Sequence, residues 1–140
     1  MTNKKIYRKQ STTYKMNSIT PYSTQQTLLD QAEEFRAAYN LTTSGDQKLT
    51  QKALIDEEWS EYHEAFHLKD DCEQLKELAD LVYVCFQMAA SQEWDLDEAM
   101  RRVHKSNMSK LGEDGKPIYR ADGKVLKGPN YAPPNLNDLI

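Results

Sequence analysis

The chain is poor in the residues that would place it outside a reducing compartment or inside a membrane. Of its 140 residues only two are cysteines, Cys72 and Cys85. Within one helix they would stand roughly 20 Å apart, at 1.5 Å per residue, which is beyond disulfide reach. The expectation is reduced thiols in a cytosol-like compartment. No apolar run approaches the roughly 18 residues of a membrane span, and the polar amino terminus lacks the apolar core of a signal peptide. A soluble, cytoplasmic protein is therefore expected. Glycine and proline are scarce before position 112, where only Gly45 and Pro21 occur. No acid precedes Asp30, whereas the first 20 residues hold five bases, Lys4, Lys5, Arg8, Lys9 and Lys15. The other 120 residues carry 13 bases against 22 acids. A body this acidic is a poor surface for a nucleic-acid duplex. It would hold a polyanionic nucleotide only through a metal or a local basic group.

Residues 1–22 read as a flexible basic tail. Ser23 or Thr24 then caps a first helix reaching about Asn40, with Leu28, Ala32, Phe35 and Tyr39 on one face. A loop with Gly45 leads to a second helix from about Lys48 to Leu68. On that helix Ile55, Trp59, Tyr62 and Phe66 share one face and predict an aromatic core seam. Leu54, Glu58, Glu61 and Ala65 share another, with Glu57 and Glu64 on its flank. A third helix starts at Asp70 or Asp71 and extends to about Ser91. Its face of Leu75, Leu78, Ala79, Val82, Phe86 and Ala89 is apolar. So is the opposite face beyond Glu77, where Leu81, Val84 and Met88 follow, and a helix apolar all round is a buried one. A fourth helix opens at Asp95, where Glu98 supplies a capping-box signal. Leu96, Ala99, Met100 and Val103 form its inward face, and Asn107 and Lys110 continue that line. From residue 112 the chain holds four of its five glycines and four of its five prolines. A short hairpin turning at Asp122-Gly123 and an extended, Pro-stiffened arm are expected there. The predicted architecture is all-α, a four-helix bundle over residues 23–111 with this hairpin and arm over 112–140.

The stretch Asp56–Asp80 carries the chemistry. Glu58 and Glu61 stand three residues apart, as do Glu77 and Asp80, so each pair lies one turn apart on one helix face. Two facing helices would aim four carboxylates at one point, the donor set of a hard divalent cation. The apolar company of these acids favours this over a solvated acidic face, since a buried unpaired carboxylate is costly. Asn107 and Lys110 would then serve phosphate. His63-Glu64-Ala65-Phe66-His67 is also a literal HExxH, the zinc-peptidase pattern. Its histidines fall on the side of the helix opposite Glu58 and Glu61, and Asp70 and Glu73 stand where the extended form needs Gly and His. Solvated or interface histidines are the better reading.

The segment EEWSEYHEA followed by KELADLVYV resembles the two metal-binding signatures of the MazG-like, all-α nucleoside triphosphate pyrophosphohydrolases. Their ExxE…ExxD pattern falls on Glu58, Glu61, Glu77 and Asp80. The downstream VHKSNMSKLGEDGKPIYRADGKVLKGPNY resembles the tail of phage-type and bacterial single-domain members. The resemblance implies Mg²⁺, with Mn²⁺ as substitute, held by the four acids. It also implies hydrolysis of a (deoxy)nucleoside triphosphate between the α and β phosphates. Water would attack the α-phosphorus in line, with Glu57 either orienting it or supporting a ligand. Asn107 and Lys110, with Lys127 and Tyr131, are the expected substrate contacts, and a homo-oligomer, dimer or tetramer, is the expected assembly. A purine dNTP such as dGTP is the first choice of substrate, with phosphoribosyl-ATP, dUTP and dCTP as alternatives. The reading from a different class is a non-catalytic helical protein that binds a nucleotide or a metal.

Overall fold

The structure, a computed structural model, describes residues 25–41 and 47–140. The expected basic tail, Ser23, Thr24 and the loop glycine Gly45 lie outside the described residues. Four helices follow one another: α1 (Leu28–Ala38), α2 (Gln47–Leu68), α3 (Asp71–Ser91) and α4 (Leu96–Met108). There is no β-strand among the described residues, so the fold is all-α. A single antiparallel bridge, Tyr119 with Val125, marks the hairpin.

Local chemistry sets the helix ends. Thr27, not Ser23 or Thr24, caps α1. Its hydroxyl accepts from the Asp30 amide at 3.1 Å, and the Asp30 carboxylate accepts from the Thr27 amide at 2.8 Å. Asp30 is the first acid in the chain, so the reciprocal box forms there. The helix stops at Ala38 because Asn40 turns left-handed at φ 53°, a conformation asparagine tolerates. The Leu41 and Asn40 amides then bond the carbonyls of Arg36 and Ala37 in a Schellman pattern. Asp70 caps α3, accepting from the amides of Cys72 and Glu73 at 3.0 and 3.1 Å. Asp95 caps α4 through the Glu98 amide at 2.9 Å. The Glu98 side chain does not return the bond, because Arg101 and Arg102 hold it at 2.7 and 3.0 Å.

Only Lys69 and Asp70 separate α2 from α3, so the two long helices run antiparallel, and theirs is the most extensive contact in the fold. Helix α1 packs on another side of α3, where Ala32, Phe86 and Ala90 form a small core bordered by Leu29 and Leu96. Beside it Arg36 is buried; it donates to Gln87, which in turn donates to the Ala32 carbonyl at 3.3 Å, and also to Gln47 at the start of α2. Burial lowers the pKa of this guanidinium.

The apolar stripes do not all become core. Trp59 is 52 % exposed and Phe66 55 %; on α3, Leu75 is 68 % exposed, and Leu78 and Val82 are exposed as well. Of the first helix's predicted apolar face only Ala32 is buried, while Leu28, Phe35 and Tyr39 stay exposed. The predicted aromatic seam stacks along itself instead: the Trp59 and Tyr62 rings are 5.9 Å apart and those of Tyr62 and Phe66 6.5 Å. Helices α2 and α1 cover two sides of α3, and no described helix covers the side of Leu75, Leu78 and Val82. Periodicity reports that a face is apolar, not what lies on it.

Beyond α4 the chain turns at Gly123, φ 86°, where the Arg120 amide donates to the Lys124 carbonyl. The arm then runs back along α4. The Gly128 amide donates to the Lys110 carbonyl and that of Ala132 to the Ser109 hydroxyl. The Arg102 guanidinium grips both carboxylate oxygens of Asp138 at 2.6 and 2.8 Å. This pairing holds the Asp138 carboxyl down at about 2. Gly128 is obligatory, since a Cβ there would sit 2.3 Å from the Leu111 carbonyl oxygen. Gly128→Ala is expected to cost about 1–3 kcal/mol through overpacking. Limited proteolysis should then cut between residues 129 and 140 while the helical circular dichroism is retained.

Candidate functional site

The packed surfaces of α2 and α3 carry acids set among buried residues. Ala65 and Gln51 are buried on α2, and Glu77 and Val84 on α3. Between them, carboxylate oxygens of Glu58, Glu77 and Asp80 all lie within 4.8 Å of one another. Glu61 enters from the next turn, with Glu77 as its strongest electrostatic neighbour. The antiparallel register therefore sets Glu58 against Asp80 and Glu61 against Glu77.

This crowding shows in the acidities. Glu58 is pushed up first by partial burial and then by Glu61, Asp80 and Glu77. Glu61 is pushed up mainly by the facing Glu77 charge, with desolvation adding to it. Glu77 is the most enclosed of the four, 7 % exposed. Its Oε1 accepts from the Lys76 ammonium at 2.8 Å, and its Oε2 is buried with no hydrogen-bond partner among the described residues. Lys76 also reaches Asp80 at 3.2 Å, and the two carboxylates raise its pKa.

An all-carboxylate donor set with one bare, buried oxygen suits a hard divalent ion, Mg²⁺ or Mn²⁺. The residues present fit such an ion. Among the described residues no other group of three or more His, Cys, Asp and Glu side chains comes together in this way. In particular His63 and His67, with ring centroids 5.7 Å apart, are exposed beside Trp59 and Phe66 and gather no third ligand. The zinc-peptidase arrangement is not assembled.

The other expected site residues are placed elsewhere. Glu57 is exposed on the flank and only faintly affects Glu61. Asn107 and Lys110 do not complete the acidic site within one chain, because α4 packs against α1 and makes at most marginal contact with α2 and α3. The physical cause is the turn at Glu93. Its left-handed φ of 60° and the bond from the Trp94 amide to the Ala89 carbonyl end α3 in a sharp reversal, and α4 leaves along α1. Lys110, Lys127 and Tyr131 do gather, at the far end of α4. The Lys127 ammonium lies 4.4 Å from the Tyr131 ring centroid, and Gly128 bonds the Lys110 backbone. Lys76 escaped the motif reading, although its i,i+4 spacing to Asp80 is a helix-face signal.

A helical hairpin that presents ExxE and ExxD as one carboxylate cluster is the signature arrangement of the all-α nucleotide pyrophosphohydrolases. The assignment to a family is more specific: residues 22–107 match the model of the phosphoribosyl-ATP pyrophosphohydrolase family, and the chain belongs to that family. No curated protein sequence matches the chain. The family match sharpens the resemblance drawn from the motifs. It lies within the MazG-like all-α superfamily, though not specifically with its MazG-like members. The matched segment holds all four acids and ends at Asn107, so Lys110, Lys127, Tyr131 and the arm fall outside it.

Because the folded state raises the pKa of Glu58 and Glu61, it takes up protons more readily there than the unfolded chain does. Stability should therefore rise as pH falls from about 7 toward the ordinary glutamate range, and be lost again as pH increases through the raised values. Thermal melts in chelator should show this rise on mild acidification. Saturating Mg²⁺ should flatten or invert it.

Proposed function

We propose that the chain is a Mg²⁺-dependent (deoxy)nucleoside triphosphate pyrophosphohydrolase that cleaves between the α and β phosphates. The products are a nucleoside monophosphate and pyrophosphate. The observation carrying this reading is the convergence of Glu58, Glu77 and Asp80, with Glu61 against Glu77, in a member of a pyrophosphohydrolase family. Glu58, Glu61, Glu77 and Asp80 hold the ion, which when bound supplies positive charge to the breaking anhydride. Glu57, exposed beside the cluster, orients the attacking water or takes its proton. Lys110 and Lys127 offer cations to the polyphosphate, Asn107 an amide, and Tyr131 a face for the base.

A second copy of the chain fits the exposed apolar surface. On α2 the stripe of Trp59, Tyr62 and Phe66 lies about 90° from the line facing α3, at 100° per residue. Because α3 runs the opposite way, Leu75, Leu78 and Val82 emerge on the same side of the hairpin. Two such hairpins face to face would complete a four-helix bundle. This homo-oligomer, dimer or tetramer, would bury surface that a lone chain leaves in water. It also gives the basic end of α4 a route to the acids of a partner. Leu75→Glu should reduce the sedimentation coefficient to that of a monomer.

For the substrate, a purine deoxynucleotide such as dGTP is the first reading. Phosphoribosyl-ATP, which carries the same triphosphate, is the second and is favoured by the family match. Pyrophosphate release should be measured from dGTP, dATP, dUTP, dCTP and phosphoribosyl-ATP with and without Mg²⁺. Cleavage should require the metal, and Glu61→Gln or Asp80→Asn should lower kcat/KM by at least roughly 100-fold, more than typical losses at outer-shell positions. If none of these compounds is cleaved, the non-catalytic binding reading replaces this one.

A further inference from the structure

We propose that Lys76 is a built-in counter-cation of the acidic cluster, which a divalent ion must displace in order to bind. The inference rests on the metal reading above and adds a positioning residue to it. Lys76 precedes Glu77 and stands one helical turn before Asp80. Its single ammonium bridges both ligands of the α3 half-site, at 2.8 Å from Glu77 Oε1 and 3.2 Å from Asp80 Oδ2. Those carboxylates also lie within 4.8 Å of Glu58, so the ammonium sits at the edge of the space where a metal would collect its ligands.

The two cations exclude one another. A magnesium-sized ion binds carboxylate oxygens at about 2.0–2.1 Å and demands near-octahedral order. An ammonium on the same carboxylates would face it at about 4 Å, where repulsion between a dication and a monocation outweighs the gain of an exposed ion pair. The Lys76 side chain is 56 % exposed and has a flexible four-carbon stem, so it can leave by rotamer change with no backbone movement. Its presence has two effects. It holds Glu77 and Asp80 together against the repulsion of the neighbouring acids, and it makes metal binding an exchange of cations.

The test uses the full chain and Mn²⁺ alone, with free ion followed by electron paramagnetic resonance. Lys76→Met and Lys76→Gln should bind Mn²⁺ between about two- and tenfold more tightly than the unsubstituted chain, the scale set by losing one or two exposed ion pairs. Lys76→Arg should stay near it. In chelator, the Met and Gln variants should melt at lower temperature, and the deficit should close at saturating Mn²⁺. A merely structural lysine would lower the melting temperature without tightening Mn²⁺ binding. Equal or weaker affinity in both uncharged variants, with Asp80→Asn abolishing binding, overturns the displacement and leaves the metal reading standing. Mn²⁺ binding to none of the proteins overturns both.

Discussion

Packing α2 on α3 forces like charges into contact, and the character of the molecule follows from that constraint. Ala65 is buried on α2 and Val84 on α3, and the packed helices also carry Glu58, Glu61, Glu77 and Asp80. In water such a set would disperse. Here backbone hydrogen bonding and the burial of neighbouring apolar groups hold it, at the expense of raised pKa values on Glu58 and Glu61 and a bare oxygen on Glu77. A packing interface that tolerates unfavourable electrostatics is poised to be stabilised by a cation, and Lys76 already supplies a fraction of that charge.

The sequence made the helices and the acidic faces readable because each is a local property. Helical spacing put Glu58 with Glu61 and Glu77 with Asp80. Apolar residues on both sides of α3 indicated a central helix, and Val84 and Phe86 are indeed buried on it. What escaped the reading was non-local. The spacing of Trp59 and Phe66 cannot say whether anything covers them. The direction of α4 depends on a left-handed glutamate, Glu93, a conformation more often given to glycine or asparagine. The buried linkage of Arg36 with Gln87 and Gln47 joins three helices through residues that look like surface residues in the sequence.

Chemically the chain is divided. Its acids sit between α2 and α3, and its gathered cations, Lys110 and Lys127, sit where the arm folds back on α4. The family match covers the acidic half and stops as α4 ends. The matched part thus holds the residues fit for a metal, while the proposed substrate contacts Lys110, Lys127 and Tyr131 lie beyond it. A changed side chain in that outer region would leave the carboxylate geometry untouched, because α4 packs on α1 and at most marginally on the α2–α3 pair.

The register that sets the acids of α3 against those of α2 has a consequence for how this chain can evolve. One residue added within α3 between Asp71 and Glu77 would turn the acids beyond it by about 100° and shift them about 1.5 Å along the helix. Glu77 and Asp80 would rotate out of line with Glu58 and Glu61, although every side chain and every helix propensity remained. The site is thus encoded as much by a count as by an alphabet. Substitutions can drift through the exposed positions of the first turns of α3 as long as the length is kept, whereas a single-codon insertion there would erase the cluster in one step.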